Sequence, residues 1–289
     1  MDIQTLYPMN INYRYYDLEY FFKQCQKVDL HNGELWLCPQ HFLINSHFCE
    51  EPRKLKELME RYEVRIRCIT PEQNNPKPSN IAARSSLLTE YTQNYFKRVI
   101  DLAYDLQCGI VLVTPGWNYH DEEPAAARRR AIVMLRRLCE YASDYGIVLA
   151  METIWRPSSR VAWNIERAAE MMEGVGQDNF KLTLDLGAMG DADETIEQWF
   201  AAFGNRIVHC HFVDGTPTGH MPWGHGARSM KADLADFYRN GYEGGFSMEY
   251  VHPMSFHEPE RFLAETRQQF IQALYEITMK SEKGKEEIE

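Results

Sequence analysis

From residue 95 onward the apolar positions switch back and forth between two periods, with short links between the runs. YFKRVIDLAYDLQCG (95–109) sets Tyr95, Val99, Ile100, Ala103 and Leu106 at helical spacing and stops at Gly109. IVLVTPG (110–116) follows as an unbroken apolar run, the pattern of a strand covered on both faces. EEPAAARRRAIVMLRRLCEYASDYG (122–146) is punctuated as a helix, with Pro124 near its start and Gly146 at its end. The strand IVLAMETI (147–154), the helix NIERAAEMMEG (164–174), with Asn164 as N-cap and Gly174 as stop, and the strand KLTLDLG (181–187) continue the series. ETIEQWFAAFG (194–204), RIVHCHFVDG (206–215), MKADLADFYRNG (230–241) and FSMEYVHP (246–253) complete it. Such alternation over short links implies parallel strands.

The first hundred residues carry the same signal more weakly. NINYRYY (10–16), GELWLCP (33–39) and YEVRIRCIT (62–70) read as strands, with helices at LEYFFKQCQ (18–26) and EPRKLKELMERY (51–62). Eight strands predict a closed (β/α)8 TIM barrel, ahead of a doubly wound open sheet. No Gly-rich fingerprint, repeat array or Pro/Ser linker divides the chain. Residues 1–278 are therefore expected to form one catalytic domain, and MKSEKGKEEIE (279–289) a charged, frayed tail.

Composition narrows the function classes. The 289 residues are 44% hydrophobic with a net charge of −11, a surface that disfavours nucleic acid and acidic membranes as partners. Seven cysteines, an odd number with no CxxC pair, read as reduced thiols. The opening MDIQTLYPMN lacks the basic and apolar regions of a leader, and no apolar run reaches membrane-spanning length. A soluble, cytoplasmic protein is expected.

The candidate chemistry lies at the strand ends. IVLAMETI ends near Glu152, KLTLDLG near Asp185, RIVHCHFVDG contains His211, and FSMEY contains Glu249. Each is one βα repeat from the next, so a barrel aims three carboxylates and an imidazole at one point on its C-terminal face. Three carboxylates so placed would repel and resist ionisation unless a cation joined them. Three oxygen donors and one nitrogen suit Mn2+ in the first place, and Co2+, Mg2+ or Zn2+ as alternatives. Glu152 and Glu249, on strands separated by two others, can flank the metal as an acid–base pair. His209 shares the face of His211 and is expected to support the ligand set rather than join it.

The motifs METI, LTLDLG, HCHFVD…GHG and FSMEY resemble the xylose-isomerase-like barrel family of sugar isomerases and epimerases, over nearly the whole chain. The resemblance implies a divalent metal on Glu152, Asp185, His211 and Glu249, with the two glutamates shuttling protons through an enediolate. The segments ITPEQNNPKPSN (69–80) and GELWLCPQHF (33–42) most resemble the branch that epimerises fructosyl-amines, and place Trp36 and His41 at the pocket wall. The free-sugar 3-epimerases of the family carry His, Arg and Glu where this chain has Ala188, Pro217 and Ser158. Gly224-His225-Gly226 stands where the family usually has G-E-G, and His225 has no assigned role.

These features predict a small sugar as partner and C3 epimerisation of a ketose or fructosyl-amine. Glu72 would take a cationic group, Asn74 and Asn80 hydroxyls, and Arg156 and Asp214, just past metal-binding strands, further substrate contacts. With no lysine or arginine cluster beside these positions, a phosphorylated sugar fits less well. An inosose-type dehydratase, an aldose–ketose isomerase and a non-catalytic sugar-binding barrel are the rival readings. The family's three-zinc endonuclease needs a basic rim that a charge of −11 does not supply. A homo-oligomer is left open.

Overall fold

The computed structural model describes residues 1–73, 76–216 and 218–286, with side chains to residue 278. In chain order the elements are β1 (Leu6–Pro8), α1 (Leu18–Lys27), β2 (Asn32–Leu37), α2 (Arg53–Arg61), β3 (Arg65–Pro71), α3 (Ser86–Asp105) and β4 (Ile110–Val113). Then come α4 (Pro124–Ser143), β5 (Val148–Glu152), α5 (Ile165–Val175), β6 (Phe180–Asp185), α6 (Leu186–Asp191) and α7 (Ile196–Phe203). β7 (Ile207–His211), α8 (Met230–Arg239), β8 (Gly245–Met248) and α9 (Pro259–Glu286) complete the chain.

Eight strands pair in parallel in the order β1-β8-β7-β6-β5-β4-β3-β2. The seam between β1 and β2 is held by a parallel bridge between Met9 and Glu34. Asn10 extends it with its side chain. Its Oδ1 accepts from Trp36 N at 2.6 Å and its Nδ2 donates to Trp36 O at 2.9 Å. A side-chain amide thus replaces a ladder bond and nearly closes the TIM barrel.

The expected strand at 10–16 is corrected by this seam. The strand is Leu6–Pro8, and Asn10–Tyr13 is a 3-10 turn, because Asn10 turns inward to bond β2 and buries Tyr13 behind it. Other ends are punctuated as read. Pro124 opens α4, and Asn164 Oδ1 caps α5 by accepting from Arg167 N at 3.1 Å. The stop expected at Gly174 falls at Gly176 instead, with Gly174 inside the helix against Ile132. Helix α9 had no counterpart in the reading of the chain, and it runs through the boundary expected at residue 278.

The core lies between strands and helices, filled by residues such as Leu149, Leu182, Phe96, Leu138 and Phe246. All seven cysteines are free, six of them buried. Among the described residues no helix is long and apolar enough to cross a membrane.

Candidate active site

Strand ends β5 to β8 converge as the spacing predicts. Donor atoms of Glu152, Asp185, His211 and Glu249 all lie within 4.8 Å of one another. His211 is the hub. Its Nδ1 faces Glu152 Oε1 at 2.5 Å and Glu249 Oε2 at 3.0 Å. Asp185 is fixed from behind, its Oδ1 accepting from Gly187 N at 2.7 Å.

Two participants escaped the reading of the chain. The first is Glu34 on β2, fully buried beneath the cluster. His211 Nε2 donates to its Oε1 at 3.1 Å, His209 Nε2 donates to its Oε2 at 2.6 Å, and Thr70 Oγ1 donates to Oε1 as well. His209 therefore stands one carboxylate away from the cluster, in a supporting place. The hint in sequence was an acid inside the apolar run GELWL. The second is His220, in the loop after β7. Its Nε2 meets Asp185 Oδ2 at 2.9 Å and Glu249 Oε2 at 3.1 Å. A Cβ on residue 187 would meet His220 Cε1 at 2.9 Å, so Gly187 makes this approach possible. The loop expected to lack an arginine thus contributes an imidazole; Pro217 itself lies outside the described residues.

The electrostatics follow from burial and like charge. Burial raises Glu152, and Glu249 adds to the rise, against the opposing pull of His211. Glu249 moves the other way, because His211 and His220 together outweigh its burial. Burial works against both imidazolium forms, yet Glu249, Glu152 and Glu34 hold His211 well above its usual range, and Asp185 and Glu249 do the same for His220. For Glu34, burial is outweighed by His211 and His209, which keep it ionised. The carboxylates thus favour the charged forms of the two imidazoles, while burial and Glu249 hold Glu152 toward its neutral form. A divalent cation would balance the carboxylates in turn, held by hard oxygen donors and one nitrogen, so the donor set fits a metal.

Glu152, Asp185, Glu249 and His220 line a cavity of about 760 Å³, with Trp36, Glu72, Ser158 and Ala188 on its walls. Trp36 and Glu72 therefore lie where expected. Asn74 lies outside the described residues. His41 does not reach the cavity, because both ring nitrogens are used internally: Asn10 Nδ2 donates to Nδ1 at 2.7 Å and Nε2 donates to Tyr16 O at 2.9 Å. Asn80 is likewise consumed, its amide bracing Ala82 N, Trp117 N and Trp117 O. Asp214 accepts from the backbone N–H groups of Gly215, Gly224, Gly226 and Arg228 at 2.8–3.0 Å. That cradle explains the second glycine of GHG, since a Cβ on residue 226 would sit 2.3 Å from Asp214 Oδ1. Arg156 stacks on Trp163, 4.6 Å from the ring centre, beside a smaller neighbouring cavity. His225 is exposed and packs edge-on against Phe262. No lysine or arginine cluster was expected beside the site, and two single cations, Arg14 and Lys77, from loops after β1 and β3, line the main cavity.

Comparison with known proteins follows the same lines. Fructoselysine 3-epimerase of Shigella flexneri is 24% identical over 255 residues, covering 88% of this chain and 92% of the relative. The solved structure of an L-ribulose 3-epimerase superposes with a TM-score of 0.81 at 16% identity, covering 96% of each chain. That of the IOLI protein with a binding zinc atom gives a TM-score of 0.73 at 18% identity, covering 95% of this chain and 98% of the other. At such identities the two solved structures speak to the fold. The model of the xylose isomerase-like TIM barrel matches residues 22–274, and the chain belongs to that family.

Proposed function

We propose that the protein is a divalent-metal-dependent sugar epimerase or isomerase, with Glu152 and Glu249 as its acid–base pair. One observation carries the reading: donor atoms from four successive strands lie within 4.8 Å of one another, three of their residues lining the cavity and His211 buried behind them. Glu152, Asp185, His211 and Glu249 would hold the cation, which when bound supplies Lewis acidity to neighbouring carbonyl and hydroxyl oxygens of the sugar. Mn2+ is the first candidate, with Co2+, Mg2+ and Zn2+ behind it. A metal in a barrel of this fold has a precedent in the zinc atom of the IOLI structure.

The protein's own part is proton transfer. Glu152 and Glu249 reach the cluster from β5 and β8, with β6 and β7 between them. One carboxylate removes the proton from the carbon beside the ketone, and the other delivers a proton to its opposite face. Their substrate is a ketose or fructosyl-amine, epimerised at C3. Ala188 and Ser158 leave the wall without the imidazole and carboxylate expected of free-sugar enzymes, and the fructoselysine 3-epimerase relative spans most of the chain. Glu72 would meet the amine, although Lys77 already lies 3.4 Å from it. The cytoplasm is the proposed compartment, supported by the free thiols.

The test is deuterium uptake from D2O into a panel of ketoses and fructosyl-lysine, followed by NMR with Mn2+-loaded protein. Incorporation at C3 with wild type and its loss in Glu249→Gln is the expected outcome. Exchange at the wild-type rate in metal-loaded Glu249→Gln would reject the two-base scheme.

A further inference from the structure

Arg14 has no role in the scheme above, yet it occupies the same cavity. It follows the 3-10 turn after β1 and is half-buried. Its guanidinium carbon lies 5.2 Å from the Trp36 ring centre and 4.3 Å from that of Phe256. Nε donates to Ile11 O at 2.9 Å. Among the described residues no carboxylate pairs with it. Two rings and one carbonyl thus fix the orientation of the fork, and among the described residues its outer N–H groups have no acceptor.

A partly desolvated charge with no carboxylate in contact is unfavourable, and stacking on aromatic rings offsets only part of that. Such a group persists when a ligand supplies the missing charge. Lys77 adds a second cation, and Glu72, 3.4 Å from its Nζ, is the carboxylate nearest to it. The cavity is therefore divided. Strands β5 to β8 present carboxylates, while the loops after β1 and β3 present two cations and one carboxylate. An anion would be repelled from the first half unless metal-loaded and attracted to the second.

We infer that Arg14, assisted by Lys77, receives an anionic group carried by the substrate away from its reacting carbons. The inference rests on the sugar-epimerase reading and names the substrate class within it. The planar fork suits a carboxylate or a phosphate, each able to accept two parallel N–H bonds. A glycated amino acid supplies the first and a ketose phosphate the second. Glu72 favours the glycated amino acid, because its carboxylate would sit beside the amino group of a zwitterion.

Calorimetric titration of Mn2+-loaded protein tests this without relying on turnover. The probes are fructose, fructose 6-phosphate, fructosyl-lysine and fructosyl-cadaverine, the last keeping both amino groups but lacking the carboxylate. One of the two anionic probes is expected to bind about tenfold or more tighter than fructose, the scale of one charge-assisted bidentate contact. Tighter fructosyl-lysine than fructosyl-cadaverine assigns the group to carboxylate; tighter fructose 6-phosphate assigns it to phosphate. Arg14→Gln should remove most of the advantage and Arg14→Lys restore part of it. Should Arg14→Gln fail to fold, Arg14→Lys and Lys77→Gln read the same ratio. Equal affinity for charged and neutral probes, or a ratio unchanged in these variants, overturns the inference. Discrimination in binding with no deuterium exchange in any sugar would instead sink the epimerase reading and leave the anion subsite standing.

Discussion

Glu34 shows how much one buried side chain can decide. Its carboxylate joins His209, His211 and Thr70, and so fixes which nitrogen of His211 turns toward the cavity. A carboxylate behind a ligating imidazole orients the ring and raises its basicity. Glu34→Gln places an amide N–H against at least one ring N–H and removes the charge. Affinity for Mn2+ is expected to fall about 10–100-fold, read by paramagnetic resonance of free Mn2+. Unchanged affinity would show that His211 needs no such tether. Glu34 was missed because a single acid in an apolar strand carries no local sign of its partners, Thr70 on β3 and the two histidines on β7, far along the chain.

At the scale of elements, the segment between β7 and α8 is the informative one. Asp214, three residues past β7, gathers four backbone N–H groups, and His220 rides on the loop so formed. Bonds to a buried charge contribute about 1.5–3 kcal/mol each, and part of that returns as the freed N–H groups meet water. Asp214→Ala should therefore lower unfolding free energy by about 3–4 kcal/mol in urea titration, with Asp214→Asn intermediate. A loss below about 1 kcal/mol would mean the loop is held by other contacts. The residue was legible as important and misread as a substrate contact, because a carboxylate past a strand end looks the same in sequence whether it faces a ligand or its own backbone. His41 and Asn80 likewise bond groups of their own chain, which a polar loop residue does not reveal in sequence.

For the whole molecule, metal and stability are linked. A ligand that binds only the folded state at 100 times its Kd adds about 2.7 kcal/mol, and long chains gain about 2 °C per kcal/mol. Mn2+ should thus raise Tm by about 5 °C, and chelator should reverse it. Asp185→Ala should abolish the shift while still folding, since Asp185 sits at the end of β6 rather than within the core. A Tm indifferent to Mn2+ in wild type would remove the metal from the proposal.

Sequence alone determined the parallel α/β alternation and the four strand-end donors. Both are local: a buried parallel strand must be apolar along its length, so a carboxylate or imidazole at its end stands out against the run before it. Only the tertiary structure decided which other polar groups share that point. Glu34 comes from β2, Arg14 and Lys77 from the loops after β1 and β3, and His220 from the loop after β7. Their meeting depends on barrel closure through Asn10 and on loop paths set by buried hydrogen bonds, neither of which leaves a period in the chain.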